Sequence, residues 1–167
     1  MVEYAAFNSP IGEMGIVAVK EGVIRISFNA EPLSIIQEYY GNYLETGIRL
    51  GNTYTQSATN KILSYLSGEI KNLDFPIIHL NTPFRKRVLE AQRKIPYGET
   101  RSYGEVATMI NNPNASRAVG SANAENPLPL YFPCHRIISS TGKLGGFGGG
   151  LPVKKFLLDL ETRNNTL

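Results

Sequence analysis

Apolar and polar positions alternate along the first thirty residues, the two-residue period of strands with one buried face. Val2–Asn8 stops at Ser9-Pro10, Met14–Lys20 stops at Glu21-Gly22, and Val23–Phe28 is a third β-rich run. Three such runs, with Glu21-Gly22 as a hairpin turn, predict a small antiparallel sheet. The period then lengthens to that of helices over Leu33–Leu44 and Ala58–Leu66, the latter with Ile62, Leu63 and Leu66 at helical spacing. Phe75-Pro76-Ile77-Ile78 reads as a short edge strand or linker, so the chain divides into residues 1–78 and 79–167.

The second half has sharper punctuation. Thr82-Pro83 supplies an N-cap with proline at the first helical position. Phe84, Val88, Ala91 and Ile95 mark one face of the helix that follows, which stops before Pro96. Ser102-x-x-Glu105 is a capping box, and it opens a helix with Tyr103, Val106, Ala107 and Ile110 on one stripe. Asn112-Pro113-Asn114 ends that helix and caps the next, Ala115 to about Ala124, in the outline of a helix-turn-helix. Pro152 starts a last helix with Val153, Phe156, Leu157 and Leu160 facing inward.

The helix from Ala115 has a buried stripe of Ala115, Ala118, Val119 and Ala122. Its opposite stripe, Arg117, Gly120, Ser121 and Ala124, is bare apart from one arginine. A helix that reads bases projects Arg, Asn or Gln toward their edges. This one offers a smooth surface that suits a wedge against a nucleic-acid backbone, or equally a tight helix-packing face with Arg117 as a surface charge. The net charge of +3 is unevenly shared. Residues 1–78 hold five Lys/Arg against eight acids, whereas residues 79–167 hold twelve against six, a balance of +6. That asymmetry fits a polyanion partner for the second half, and fits a solvated basic face as well. There is no signal-peptide pattern and no run of about 18 apolar residues, so neither secretion nor membrane spanning is expected.

One residue concentrates the chemistry. Cys134 is the sole cysteine of 167 residues, so it has no internal disulfide partner and cannot build a cysteine metal cluster. It stands in Pro133-Cys134-His135-Arg136, between apolar Leu130-Tyr131-Phe132 and Ile137-Ile138, at a break in a buried extended segment. The adjacent histidine and arginine favour a thiolate. A buried structural cysteine is the other reading of the same surroundings.

The ordered set of motifs decides between them. Ile95-Pro96-Tyr97-Gly98-Glu99-Thr100, Ser102-Tyr103-Gly104-Glu105-Val106-Ala107, Ser116-Arg117-Ala118-Val119-Gly120, Asn126-Pro127, Pro133-Cys134-His135-Arg136 and Gly149-Gly150 resemble the O6-alkylguanine-DNA alkyltransferases in family order. The resemblance implies an α/β two-domain fold. It pairs a ribonuclease-H-like N-terminal sheet and helices with a mostly helical, winged-helix-like C-terminal domain carrying the helix-turn-helix. It further implies a cytoplasmic, monomeric, single-turnover transferase acting on double-stranded DNA that contains O6-alkylguanine, with no cofactor, metal or membrane. Cys134 would keep the alkyl group, with His135 and Glu161 as its proton relay through a water. Arg117 would fill the stack left by the extruded nucleotide. Tyr103 would displace the backbone and hydrogen-bond the guanine. Asn126 would hold the loop beside Cys134, and backbone groups of Cys134, Ile137 and Gly148 would recognise the guanine edge. Arg85, Gly104, Asn112 and Ser140 fall where relatives contact the DNA backbone, and Arg136 is expected to be structural.

The chain departs from the pattern at Phe147, where relatives often carry tyrosine, and at Leu89, where many carry tryptophan. Phe147 still walls the pocket but brings no hydroxyl. The zinc site of some relatives cannot be rebuilt from one cysteine and the two histidines His79 and His135. Two other classes remain at this point: a non-catalytic alkyl-lesion binder on the same scaffold, and a Cys-His hydrolase that turns over through an acyl intermediate.

Overall fold

β1 (Val2–Ser9), β2 (Gly12–Val19) and β3 (Gly22–Ser27) form in the three β-rich runs and pair antiparallel through short turns, with Met14–Ala18 of β2 buried throughout rather than alternating. The computed structural model describes residues 1–41 and 47–165, and divides into two compact units, Met1–Leu80 and Asn81–Leu167. The sheet of the first unit is mixed rather than antiparallel. β4 (Ile48–Leu50) pairs parallel with β1 and gives the order β3-β2-β1-β4. Three residues carry too little period to announce a strand, and their partner lies some 45 positions earlier. Phe75–Ile78 makes one parallel bridge, Ile77 to Val23, instead of a strand. Pro76 offers only its carbonyl, which accepts from Val23 N at 2.9 Å, so the ladder cannot extend there.

α1 (Leu33–Tyr40) and α2 (Gln56–Leu66) cover this sheet's sequence interval. The expected helix to Leu44 ends at Tyr40, and residues 42–44 lie outside the described residues. Val2, Tyr4, Val17, Ile24 and Ile36 form the core. A charge is buried beside them. Glu3 is fully enclosed, and its carboxylate accepts from the amides of Tyr54 (2.7 Å) and Thr55 (3.3 Å) and from Arg49 Nη2 (3.2 Å). It thereby serves amides at the start of α2, where Thr55 makes no side-chain cap of its own.

The second unit opens with α3 (Pro83–Arg93), capped by Thr82, whose hydroxyl accepts from Arg85 N. β5 (Arg101–Ser102) leads into α4 (Tyr103–Met109), where the capping box forms: Glu105 N reaches Ser102 Oγ at 3.1 Å and Ser102 N reaches Glu105 at 2.7 Å. α5 (Ser116–Ala124) follows a turn in which Asn111 takes a left-handed φ of 58°. Its N-cap is Ala115, with no side-chain cap, rather than Asn114. A 3-10 turn (Cys134–Arg136), β6 (Ile137–Ile138) and α6 (Leu151–Asn165) complete the unit. Val88, Ala91, Ile95, Val106, Ala107, Ile110, Val119, Ala122 and Ile137 make one core, so the stripes read for α3 and α4 face inward.

Two stripes differ from expectation. On α5, Ala118 is exposed and Asn123 buried, because the helix turns Val119, Ala122 and Asn123 toward its neighbours. On α6, Val153 and Phe156 are only half-buried and Lys154 is fully enclosed. The ammonium is satisfied there by backbone carbonyls, which a hydrophobicity pattern cannot anticipate. Parallel pairing of Arg101 with Ile137 and of Ser102 with Ile138 sets the start of α4 beside the 3-10 turn.

The Glu3 arrangement yields a stability prediction. Glu3→Ala leaves Arg49 and two amides without their acceptor, and should cost about 3 kcal/mol in the first unit. Urea unfolding followed by circular dichroism measures it, and a loss below about 1 kcal/mol would show that water replaces the carboxylate.

Candidate active site around Cys134

Glu161 organises the site. Its carboxylate, 1 % exposed on α6, accepts from Gly98 N (3.0 Å), from Arg136 Nε (2.7 Å) and Nη2 (3.1 Å), and from His135 Nε2. Gly98 reaches it from a tight turn at φ 81°, a conformation that favours glycine. Arg136 also donates from Nη1 to the Ile95 carbonyl at 2.7 Å, with its guanidinium over the Tyr97 ring at 5.6 Å. Arg136 is therefore spent inside the unit and is not presented to a ligand. Burial alone would raise the Glu161 pKa, but the hydrogen bonds from His135 and Arg136 and the charge of Arg136 outweigh it and hold the carboxyl down at about 2. Burial is also the main influence on His135 and lowers its pKa, so the imidazole is neutral. With Nε2–H directed to Glu161, the lone pair of that neutral ring belongs to Nδ1.

Cys134 opens the 3-10 turn rather than interrupting an extended segment. Side chains of neighbouring residues in such a turn diverge by about a third of a revolution, so His135 can face Glu161 while Cys134 faces the other way. The thiol is 5 % exposed, and burial pushes its pKa up to about 11. Asn126 and Lys154 pull in the other direction without prevailing. The expected resting thiolate is thus replaced by a thiol, because His135 and Arg136 direct their polar atoms to Glu161 and leave the sulfur desolvated.

The approach to Cys134 is braced at several points. Asn126 Nδ2 donates to the Phe132 carbonyl and Asn126 Oδ1 accepts from Leu128 N, both at 2.9 Å, closing the loop on itself. Within that loop Leu130 takes φ 71°, a strained conformation for a branched residue. Lys154 Nζ donates to the carbonyls of Ile137 (2.6 Å) and Leu144, and so joins β6 to the start of the glycine-rich segment. Sequence patterning missed this lysine. Its place on the Leu157 side of α6, one turn before that residue, was the available signal.

Cys134 lies in a cavity of about 350 Å³. Tyr103 and Asn123 line one part, Gly120 and Ala124 of α5 another, and Gly146, Phe147 and Gly148 a third. Ile137 is buried behind it. Gly145 sits at φ 73°, where a Cβ would come within 3.2 Å of the Tyr103 hydroxyl. Arg117 is exposed on α5, on the same stripe as Gly120 and Ala124. Asn112 and Ser140 are exposed in turns, Gly104 is half-buried in the first turn of α4, and Arg85 is half-buried and paired with Glu125. These five stand apart from the cavity lining, on the surface of the same unit.

Comparison with known proteins bears on this arrangement. Residues 83–163 match the family described as the DNA-binding domain of 6-O-methylguanine DNA methyltransferase. A methylated-DNA–protein-cysteine methyltransferase of Methanosarcina acetivorans is 41% identical over 158 residues, spanning 95% of this chain and 97% of the relative. The constitutive enzyme of that name from Bacillus subtilis is 35% identical over 95% of this chain and 94% of its own. Among solved structures, the Mycobacterium tuberculosis OGT in complex with DNA superposes with a TM-score of 0.83 at 34% identity, covering 97% of this chain and 94% of that one. No helix among the described residues is long and apolar enough to cross a membrane.

The protonation states predict two pH dependences. Alkylation of Cys134 by iodoacetamide should be slow at pH 7 and climb about tenfold per pH unit toward pH 10, following the thiolate fraction; a plateau reached below pH 8 would contradict a desolvated thiol. Stability should fall with acid. His135 resists protonation when folded, so its unfolded form gains protons first once the pH drops below about 6.5. The depressed Glu161 adds a further loss between about pH 4.5 and 2. Urea midpoints measured from pH 7 to pH 3 test this, and Glu161→Gln should flatten the lower part of the profile.

Proposed function

The chain belongs to the methylated-DNA–protein-cysteine methyltransferase family and repairs DNA by alkyl transfer, and we propose that Cys134 accepts the alkyl group from O6 of a guanine extruded through the minor groove. The observation that carries this reading is the sole thiol at the floor of a cavity, followed directly in the chain by a neutral histidine held by a buried carboxylate. As the sulfur attacks the alkyl carbon, the S–C bond forms and the C–O6 bond breaks. The thiol proton passes through a water to His135 Nδ1, and the electron pair of the broken bond stays on guanine. Glu161 stabilises the imidazolium so formed. The Tyr103 hydroxyl, on the cavity wall, hydrogen-bonds the departing base. The product thioether has no neighbouring group able to cleave it, so each molecule acts once.

Extrusion of a base costs a few kcal/mol. Arg117, Gly120 and Ala124 share one stripe of α5, with Gly120 about 5 Å and Ala124 about 10 Å along the axis from the arginine. We assign Arg117 to the vacated stack and the small residues to the path into the cavity. Arg85, Gly104, Asn112 and Ser140 are assigned to phosphate contacts on the +6 half of the chain. Backbone groups of Cys134, Ile137 and Gly148 are assigned to the guanine edge. The strand order β3-β2-β1-β4 with a parallel β4 supports a ribonuclease-H-like first unit, and α4–turn–α5 beside the short ladder supports a winged-helix-like second. A monomer in the reducing cytoplasm suits a sole cysteine that must stay free.

Incubation with duplex DNA containing O6-methylguanine should add one methyl group to the intact protein, at Cys134 by peptide mapping. Cys134→Ser should abolish the gain and keep measurable DNA binding. Methyl recovered on another residue, or binding without mass gain in the unaltered protein, would overturn the assignment. Arg117→Ala should slow repair of duplex DNA roughly tenfold or more, and leave reaction with free O6-alkylguanine base nearly unchanged, because the free base needs no extrusion. An equal loss on both substrates would return Arg117 to a role in folding.

A further inference from the structure

The α5 wall of the cavity that holds Cys134 carries an amide. Gly120, Asn123 and Ala124 all line that cavity, at the three- and four-residue spacings that bring positions to one helix face. Gly120 has no side chain and Ala124 only a methyl group, so Asn123 alone extends a polar group from this wall. Its amide has a set direction. Gln92, completely buried on α3, donates from Nε2 to Asn123 Oδ1 at 2.7 Å. A primary amide accepts at one end and donates at the other, so Gln92 occupies the accepting end. The Nδ2 donors are left to the cavity. Gln92 Oε1 is enclosed without a hydrogen-bond partner, whereas Asn123 Nδ2 is not enclosed in that way.

Packing does not account for the pair. Its neighbours on α3 and α5, Val88, Ala91, Val119 and Ala122, belong to an apolar core. An amide with an unsatisfied buried oxygen is less stable in such a place than a hydrocarbon of the same size. A methyl lesion does not call for the amide either, since a methyl group offers nothing to an N–H and takes water away from it. An oxygen on the incoming chain would match the donor. The cavity has room for a longer chain: a Cβ at Gly146 or Gly148 would meet no atom within 4 Å beyond its chain neighbours. Phe147, between them, brings a ring without a hydroxyl. Among the described lining residues only Tyr103, Asn123 and Cys134 have polar side chains. With Tyr103 assigned to the base and Cys134 to the reacting carbon, Asn123 is the one left for the rest of the chain.

We propose that Asn123, held by Gln92, is a specificity-determining residue that donates a hydrogen bond to an oxygen of the transferred group. Guanine O6 adducts with an oxygen in the chain, such as 2-hydroxyethyl and 2-alkoxyethyl groups, are then preferred over hydrocarbon chains of the same length. The inference rests on the reading of Cys134 as the alkyl acceptor. Asn123 takes no part in bond making: the S–C bond forms and the C–O6 bond breaks as for a methyl group, and the chain oxygen stays in the product thioether.

A competition between two duplexes of the same sequence tests it, one with O6-(2-methoxyethyl)guanine and one with O6-butylguanine. The chains have equal length, and the ether oxygen can only accept. Intact mass of the protein after single turnover gives the ratio of the two adducts, which does not depend on the fraction folded. Asn123→Leu should lower the ether-to-butyl ratio about fivefold, the effect of one neutral hydrogen bond. Asn123→Asp keeps the shape and an acceptor for Gln92 but sets a carboxylate oxygen against the ether, and should lower the ratio further. Gln92→Met, which frees the amide to turn, should lower it about twofold. A ratio unchanged in Asn123→Leu and Asn123→Asp would mean that the amide serves packing or the guanine common to both substrates, and would overturn the inference while leaving Cys134 as the acceptor. A ratio that rises in Asn123→Asp would mean that Oδ1 faces the cavity, and would overturn it too. No adduct from either duplex in the unaltered protein would overturn the reading of Cys134 and the inference with it.

Discussion

The second unit depends on one buried carboxylate. Glu161, on α6, accepts hydrogen bonds from the turn after α3 and from both residues that follow Cys134. A buried ion pair is seldom more stable than a hydrophobic cluster of the same volume, so the arrangement is better explained by what it dictates. It keeps His135 in one tautomer and anchors α6 against the turn that carries Cys134. It also removes Arg136 from the surface. Each consequence needs the others, because a carboxylate at 1 % exposure is tolerable only while all its donors are present.

The same enclosure explains why the thiol is protonated at rest. Forming a thiolate from a group with a pKa of about 11 costs roughly 5 kcal/mol at neutral pH. A permanent thiolate would be open to any passing oxidant or alkylating agent, and a protein that acts once has no second cysteine to spend. A basic thiolate is also the stronger nucleophile. On the proposed function, the proton leaves toward His135 only when an alkylated base is in place. Lys154, whose charge favours the thiolate, then acts on the sulfur at the moment when that matters.

Local patterning revealed most of the elements, and the motif order singled out Tyr103, Cys134, Phe147 and Gly148, which line one cavity. The capping box at Ser102 and Glu105, the Thr82 cap and the stripes of α3 and α4 are rules of near neighbours, so the sequence displays them directly. What escaped depends on partners far along the chain. β4 exists because β1 is there to pair with it, and Lys154 is buried because the carbonyls of Ile137 and Leu144 receive it. The thiolate expected at Cys134 failed for a related reason. Adjacency of His135 and Arg136 in sequence is not adjacency of their charges to sulfur once a 3-10 turn points them at Glu161. Asn123 carries no signal in its own sequence neighbourhood, and its buried amide is held by Gln92, 31 residues earlier.

α5 then carries two tasks on two faces. Arg117, Gly120 and Ala124 form a stripe that starts in solvent and runs into the cavity, while Val119, Ala122 and Asn123 pack inward. Six residues separate Arg117 from Asn123, which places their side chains about 120° apart around the helix axis. On the proposed function the arginine can therefore press into a duplex while Asn123 stays on the cavity wall, with one rigid element fixing the distance between them. Small residues are required between the two for a physical reason. A Cβ at Gly120 already falls 3.8 Å from the Tyr103 ring, so any larger side chain there would occupy the space through which an extruded base must pass. The bareness that made this helix look like a mere packing surface is, on the proposed function, the shape of the route from duplex to thiol.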